Sequence, residues 1–200
     1  MDKKIIGVFG GSFNPPLYSH LSLAEQLLNE GIDKIIFVPV SSKYNKSGLI
    51  EDEHRLNMLK MICEKNDSFE VSNIEMESES QPYTIETLQK IQEMYPNYEI
   101  RFIIGTDNLK EVYWWHDVEN LLTNFKFIVL TRDEDDFENI ISNDNILSKH
   151  YDSFIKANIP ITTNLSSTYV RNLIKERKQI KYLLPDEVID YIYNNNLYIE

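Results

Sequence analysis

The chain has 200 residues, with 20 Lys and Arg against 32 Asp and Glu, giving a formal net charge of −12 and a sequence pI near 4.8. Such an acid excess lacks the broad basic face that polymeric nucleic acid and anionic lipid surfaces require, and the one cysteine, Cys63, excludes an internal disulfide and a cysteine-based zinc site. The length favours a single domain over residues 1–200, and a start that runs straight into a glycine loop, with no apolar run near about 18 residues, reads as a cytoplasmic protein without a signal segment or membrane span.

A first strand is expected over Ile5–Phe9, followed by Gly10-Gly11, Pro15-Pro16 and a helix over Ser19–Glu30. Leu21, Ala24, Leu27 and Leu28 share one face of that helix, and Gly31 stops it. Further strands are expected over Ile35–Val40, Ile100–Ile104, Phe125–Thr131 and Ile159–Thr162. Helical patterns cover Asp52–Lys65, Thr84–Met94, Asp117–Thr123, Phe137–Lys149, Ser167–Arg177 and a last helix opened by Pro185 and running to about Tyr193. Near-continuous apolar strands alternating with helices predict an α/β fold, a Rossmann-like doubly wound, mostly parallel sheet with helices on both faces and C-terminal helices. Ligands of such sheets sit at the carboxyl ends of the strands, near the switch in strand order. The acidic stretches Glu75–Glu79 and Asp133–Glu138 lack the spacing of a calcium loop and read as solvated loops or helix starts.

The segment Gly10-Gly11-Ser12-Phe13-Asn14-Pro15-Pro16-Leu17-Tyr18-Ser19-His20 carries the first chemistry. The glycine pair lets the backbone turn and approach a ligand, the prolines stiffen it, and the helix beyond presents unpaired N–H groups and a positive dipole end. Together these make an anion site suited to phosphate, with His20 in the first turn able to donate to a phosphate oxygen. Neither Gly-x-Gly-x-x-Gly nor Gly-Lys-Ser/Thr is present.

Gly10–His20 resembles the Gly-Gly-Thr-Phe-Asp-Pro-x-His-x-Gly-His signature of the nucleotidylyltransferase superfamily, and Leu165-Ser166-Ser167-Thr168-Tyr169-Val170-Arg171 resembles its Ile-Ser-Ser-Thr-x-Ile-Arg signature. Tyr83-Thr84-Ile85-Glu86-Thr87-Leu88, Gly105-Thr106-Asp107 with Trp115, and Leu184-Pro185 through Leu197-Tyr198 are similar to segments of one branch, the nicotinate mononucleotide adenylyltransferases. Three departures stand out: Leu17 replaces the first motif histidine, Ser19 the glycine and Asn14 the common aspartate. Ser41-Ser42-Lys43-Tyr44-Asn45-Lys46 replaces the Pro-Pro-His-Lys loop.

The resemblance implies adenylyl transfer from ATP to the phosphate of nicotinate mononucleotide, as a step of NAD biosynthesis. No protein nucleophile is needed, so catalysis is positioning and charge neutralisation. His20 and Arg171 are the implied catalytic residues. Gly10, Gly11, Ser12, Phe13, Gly105, Asp107, Ser166, Ser167 and Thr168 are implied ATP-binding residues, with Asp107 accepting from a ribose hydroxyl. Mg2+ would arrive on the triphosphate, with no protein-bound metal expected. For the acceptor, Asn14, Lys43 (or Lys46), Thr84, Trp115 and Arg132 are implied, with Trp115 offering a flat face to a pyridine ring. Each has a plainer alternative: Trp115 as a core or interface residue, Thr84 as a helix cap, Arg132 as a surface ion pair. His54, His116 and His150 are placed outside the site, and Arg55 could extend toward it without being counted among its residues. Two other readings stay open, transfer to a different phosphorylated acceptor and a weakly active nucleotide-binding module lacking the donor that Leu17 displaces. His20, Lys43, Lys46, Arg132 and Arg171 would form a small positive cleft in a negative surface, and a homo-oligomer is compatible with the sequence.

Overall fold

The computed structural model describes residues 3–43, 48–131, 136–160 and 164–199. Its elements follow as β1 (Lys4–Gly11), α1 (Tyr18–Asn29), β2 (Lys34–Pro39), α2 (Asp52–Cys63), β3 (Phe69–Val71), α3 (Thr84–Met94), β4 (Tyr98–Gly105) and α4 (Thr106–Leu109). Then come α5 (Val118–Asn124), β5 (Lys126–Leu130), α6 (Phe137–Ser142), α7 (Asn145–Lys149), β6 (Phe154–Lys156), α8 (Ser167–Lys175) and α9 (Asp186–Asn194). The strands form one sheet in the order β3-β2-β1-β4-β5-β6, and every neighbouring pair is parallel.

Alternation along buried strands divides the core between the two faces. Ile36 and Val38 of β2, with Phe127 and Val129 of β5, meet Ile85, Leu88 and Ile91 of α3 and Leu121 and Leu122 of α5. Ile35, Phe37, Ile128 and Leu130 face the other way, onto Ala24 and Leu27 of α1 and Leu59 of α2. A third cluster joins Leu17, Met58 and Ile62 to Val170, Ile174, Val188 and Ile192 of α8 and α9. At about 25 cal/mol per Å² of apolar surface removed from water, these faces account for most of the favourable folding energy.

Three expectations change. The run Phe137–Lys149 is broken into α6 and α7, because Asp144 caps a new helix by accepting from the N–H groups of Ile146 (2.8 Å) and Leu147 (2.9 Å). The last strand is Phe154–Lys156 and not Ile159–Thr162: Phe154 packs on Phe127 with ring centroids 5.6 Å apart, Ile159 lies outside any strand, and Ile161 and Thr162 fall outside the described residues. Glu75 is not solvated: it is 9% exposed and accepts from Thr87 Oγ1 and Gln81 Nε2, both at 2.9 Å. Asp136 caps α6 by accepting from the Asn139 N–H, while Asp133, Glu134 and Asp135 are outside the described residues. Among the described residues no helix is long and apolar enough to cross a membrane.

Candidate active site

The chain leaves β1 toward β2 on one side and returns through α3 to β4 on the other, so the switch in strand order lies between β1 and β4. Gly10 stands at that point, and a Cβ there would lie 3.1 Å from the Phe102 ring of β4, which is why glycine is needed for the close approach. Phe13 follows with a left-handed backbone (φ 45), and the Asn14–Pro15 peptide bond is cis.

His20 lies in the first turn of α1 with its ring edge-on to Phe13 (5.2 Å) and Phe9 (6.2 Å). The Leu17 N–H donates to Nδ1 at 2.9 Å, so Nδ1 is an acceptor and Nε2 carries the proton. Leu17 itself is fully buried in the cluster with Met58, Ile62 and Val170. The Leu17 side chain therefore faces that apolar cluster and is not part of the cavity lining.

The second signature forms the start of α8. Ser166 caps it, its Oγ accepting from the Tyr169 N–H at 3.2 Å. Ser167 Oγ donates to the Pro15 carbonyl at 2.8 Å, and Arg171 Nη1 donates to the Asn14 carbonyl, also at 2.8 Å. The second guanidinium nitrogen, Nη2, donates to Thr168 Oγ1 at 3.1 Å. The positive end of α8 is thus tied across the loop of β1. Between the two segments lies a cavity of about 260 Å³. Ser12, Phe13, Asn14 and His20 line one wall, Ser166, Ser167, Thr168 and Arg171 the other, with Leu49 and Leu165. A larger groove of about 730 Å³, lined by residues including Arg177, Lys181, Ile189 and Tyr193, contains neither segment. Chemistry and not size selects the smaller one, where N–H and guanidinium donors converge.

The other expected residues sort by position. Gly105 ends β4 opposite Leu130 of β5, and Asp107 is exposed in α4, which follows directly, outside the cavity lining. Asn14, expected at the acceptor, is 2% exposed and engaged within the protein: Nδ2 donates to the Gly48 carbonyl at 2.7 Å, and Oδ1 accepts from Tyr198 O–H at 2.7 Å and Ile50 N–H at 3.5 Å. The Lys43 ammonium donates to the Ser78 carbonyl and does not line the cavity. Lys46 and Arg132 lie outside the described residues, so among those described the positive charge at the cavity wall comes from Arg171, with His20 as a neutral donor beside it. Thr84 opens α3, and Trp115 packs half-buried against Phe102 (6.1 Å) and Phe127 (6.4 Å). Tyr83 stacks on His116 with ring centroids 3.9 Å apart, which brings the start of α3 beside the Trp115 segment.

Sequence reasoning left out Arg55 and gave Tyr198 no role of its own. Arg55 is fully buried on α2, donating from Nη1 to the Ser12 carbonyl (3.0 Å), from Nε to the Ile50 carbonyl (3.2 Å) and from Nη2 to Asp52. Burial pulls its guanidinium below the usual range, and Asp52 opposes that shift. A cation beside Leu56 and Leu59 in a core-facing helix was the available signal. Among the described residues no group of His, Cys, Asp and Glu is arranged to hold a metal ion.

A cytidylyltransferase-like family profile matches residues 8–173. The "Probable nicotinate-nucleotide adenylyltransferase" of Carboxydothermus hydrogenoformans is 35% identical over 195 residues, 96% of this chain and 97% of that protein. The nicotinate-nucleotide adenylyltransferase of Bacillus subtilis is 33% identical over 198 residues, 98% of each. Among solved structures, nicotinic acid mononucleotide adenylyltransferase of Plasmodium falciparum, complexed with NaAD, superposes with a TM-score of 0.79 at 27% identity, covering 98% of this chain and 97% of that one.

Proposed function

The chain belongs to the nicotinate-nucleotide adenylyltransferase family, and from that premise we propose that it transfers the adenylyl group of ATP to the phosphate of nicotinate mononucleotide, one step of NAD biosynthesis. The observation that carries the proposal is the cavity in which both signature segments meet, with His20 on one wall and Arg171 on the other.

An oxygen of the acceptor phosphate attacks the α-phosphorus of ATP, the bond from that phosphorus to the bridging oxygen breaks, and pyrophosphate leaves with the electron pair. The attacking group is already an anion, so the protein supplies no nucleophile. Nε2–H of His20, the Arg171 guanidinium and the first N–H groups of α8 converge on the cavity as donors for the triphosphate. Donors held in place before the reaction stabilise charge as it develops without reorganising. The cavity lining carries no carboxylate among the described residues, so Mg2+ enters as part of the MgATP substrate, held by the triphosphate oxygens. On this reading Thr84 and Trp115, whose chain neighbours Tyr83 and His116 stack on each other, serve the acceptor, and Asp107 accepts from a ribose hydroxyl. The chain acts as one nucleotidylyltransferase domain in the cytoplasm.

Pyrophosphate release, measured with MgATP and a panel of acceptors, tests this. Turnover is expected to be fastest with nicotinate mononucleotide, ahead of the amide and of phosphopantetheine. Faster turnover with another phosphorylated acceptor would overturn the substrate assignment. Binding of ATP without release for any acceptor would overturn the enzymatic one.

A further inference from the structure

After α9 the backbone enters the left-handed region at Asn196 (φ 53) and Tyr198 (φ 61), a conformation that non-glycine residues hold only when surrounding contacts over-determine it. The reversal carries Tyr198 back to the loop after β1, where its hydroxyl donates to Asn14 Oδ1 at 2.7 Å across 184 residues of sequence. Asn14 is 2% exposed, so water does not stand in for a lost donor. Its amide orientation is set on both sides: Nδ2 must face the Gly48 carbonyl and Oδ1 must face the Tyr198 O–H. A flipped amide would set two carbonyl oxygens against each other. The backbone carbonyl of the same residue accepts from the Arg171 guanidinium, as does Thr168 Oγ1.

Resting on the reading of the cavity as the triphosphate site, we infer that Tyr198 is a positioning residue for ATP: through the Asn14 side chain it fixes the loop carbonyl that aims Arg171. Tyr198 does not itself line the cavity and reaches it through Asn14, which does. Burial pushes its phenol well above the usual range, so it remains a neutral donor throughout the working pH range. The ring also packs against the cluster of α8 and α9, a purely structural part that Tyr198→Phe preserves while deleting the hydroxyl. The planar fork of Arg171 presents its remaining N–H groups in fixed directions, and sub-ångström misplacement of such a group is costly to catalysis.

The test is a double-mutant cycle on the whole chain, read by direct MgATP binding and by kcat/KM for ATP. Tyr198→Phe is expected to weaken both by about tenfold, with the KM for the acceptor unchanged within about twofold and the cooperative unfolding transition retained. In an Arg171→Lys background, which keeps the charge but loses the fork to the Asn14 carbonyl, the same change is expected to cost less than about twofold. Equal losses in both backgrounds would show that Tyr198 acts on the fold and not through Arg171, and would overturn the inference. ATP handling by Tyr198→Phe equal to that of the wild type would overturn it as well. A wild-type protein that does not bind MgATP overturns the site reading itself, and is distinguished from the other outcomes by that one measurement.

Discussion

The backbone N–H of Leu17 donates to Nδ1 of His20 at 2.9 Å, and this one bond orients the candidate phosphate donor. It assigns the ring proton to Nε2, and the edges of Phe9 and Phe13 hold the ring plane. His20→Ala is therefore expected to lower kcat by about 10²–10³, the range for loss of a fixed donor to developing charge. Steady-state pyrophosphate release at saturating ATP checks it, and a loss confined to the KM for ATP would assign His20 to ground-state binding alone.

Leu17 gives the opposite expectation. It is fully buried beside Met58, Ile62, Val170 and Ile174, so Leu17→His inserts an imidazole into an apolar cluster. The expected cost is about 2–4 kcal/mol, or a melting temperature lower by roughly 5–15 °C, with no gain in kcat. A stable, faster variant would mean that position 17 can turn toward the cavity.

Arg55 lies beneath the loop and neutralises Asp52 while holding the carbonyls of Ser12 and Ile50. Arg55→Met leaves those carbonyls and the Asp52 carboxylate without the guanidinium. Asp52 is partly exposed and also accepts from the Ser42 N–H at 2.6 Å, which places the expected cost near the lower end for a broken buried pair, about 3 kcal/mol. Arg55→Lys is expected to recover little, since one ammonium cannot serve three acceptors in a plane. Denaturant unfolding of both variants measures this, and near-wild-type stability of Arg55→Lys would contradict it.

Trp115 packs on Phe102 and Phe127, and the proposed function gives it a second role at the acceptor. Trp115→Ala is expected to raise the KM for the acceptor by about tenfold, a loss of about 1.4 kcal/mol, while the KM for ATP moves less than about twofold. Part of the core contact is lost too, at about 2–4 kcal/mol of stability for a half-buried ring. Equal changes in the two KM values would remove the acceptor role and leave the packing role.

Glu75 supplies a pH prediction. Burial raises its carboxyl above the ordinary value of 4.5, against the hydrogen bonds from Gln81 and Thr87. An acid with a raised folded-state pKa stabilises the fold fully below its unfolded value, and that contribution is lost as pH rises through the folded one. Glu75→Gln does not titrate, so its stability relative to the wild type is expected to improve steadily upward from about pH 4 until the folded carboxyl has ionised. Thermal melts of both proteins across about pH 4–8 follow the difference, and a Glu75→Gln protein that loses stability relative to the wild type as pH rises would contradict the burial account.

The α/β class, the run of helices around a parallel sheet and the two signature segments were all legible in the residues. Apolar periodicity and short motifs are local properties, and Thr84–Met94 was delimited to the residue. The errors fell where a local pattern met a distant partner or a capping side chain. Asp144 divided an otherwise continuous helical pattern, and Phe154 was drawn into the sheet by its contact with Phe127.

The sequence by itself determined the fold class and the segments that carry phosphate chemistry, because glycine turns, helix caps and strand alternation act over a few residues. Only the tertiary structure decided which way each side chain in those segments points. Leu17 turns inward because α2, α8 and α9 supply an apolar surface for it, and Lys43 turns aside because the Ser78 carbonyl takes its ammonium. Asn14 becomes a brace for the loop because Gly48 and Tyr198 arrive from 34 and 184 residues away. Hydrogen bonds across such separations leave no spacing in the chain, so they exist only once the sheet has brought its ends together.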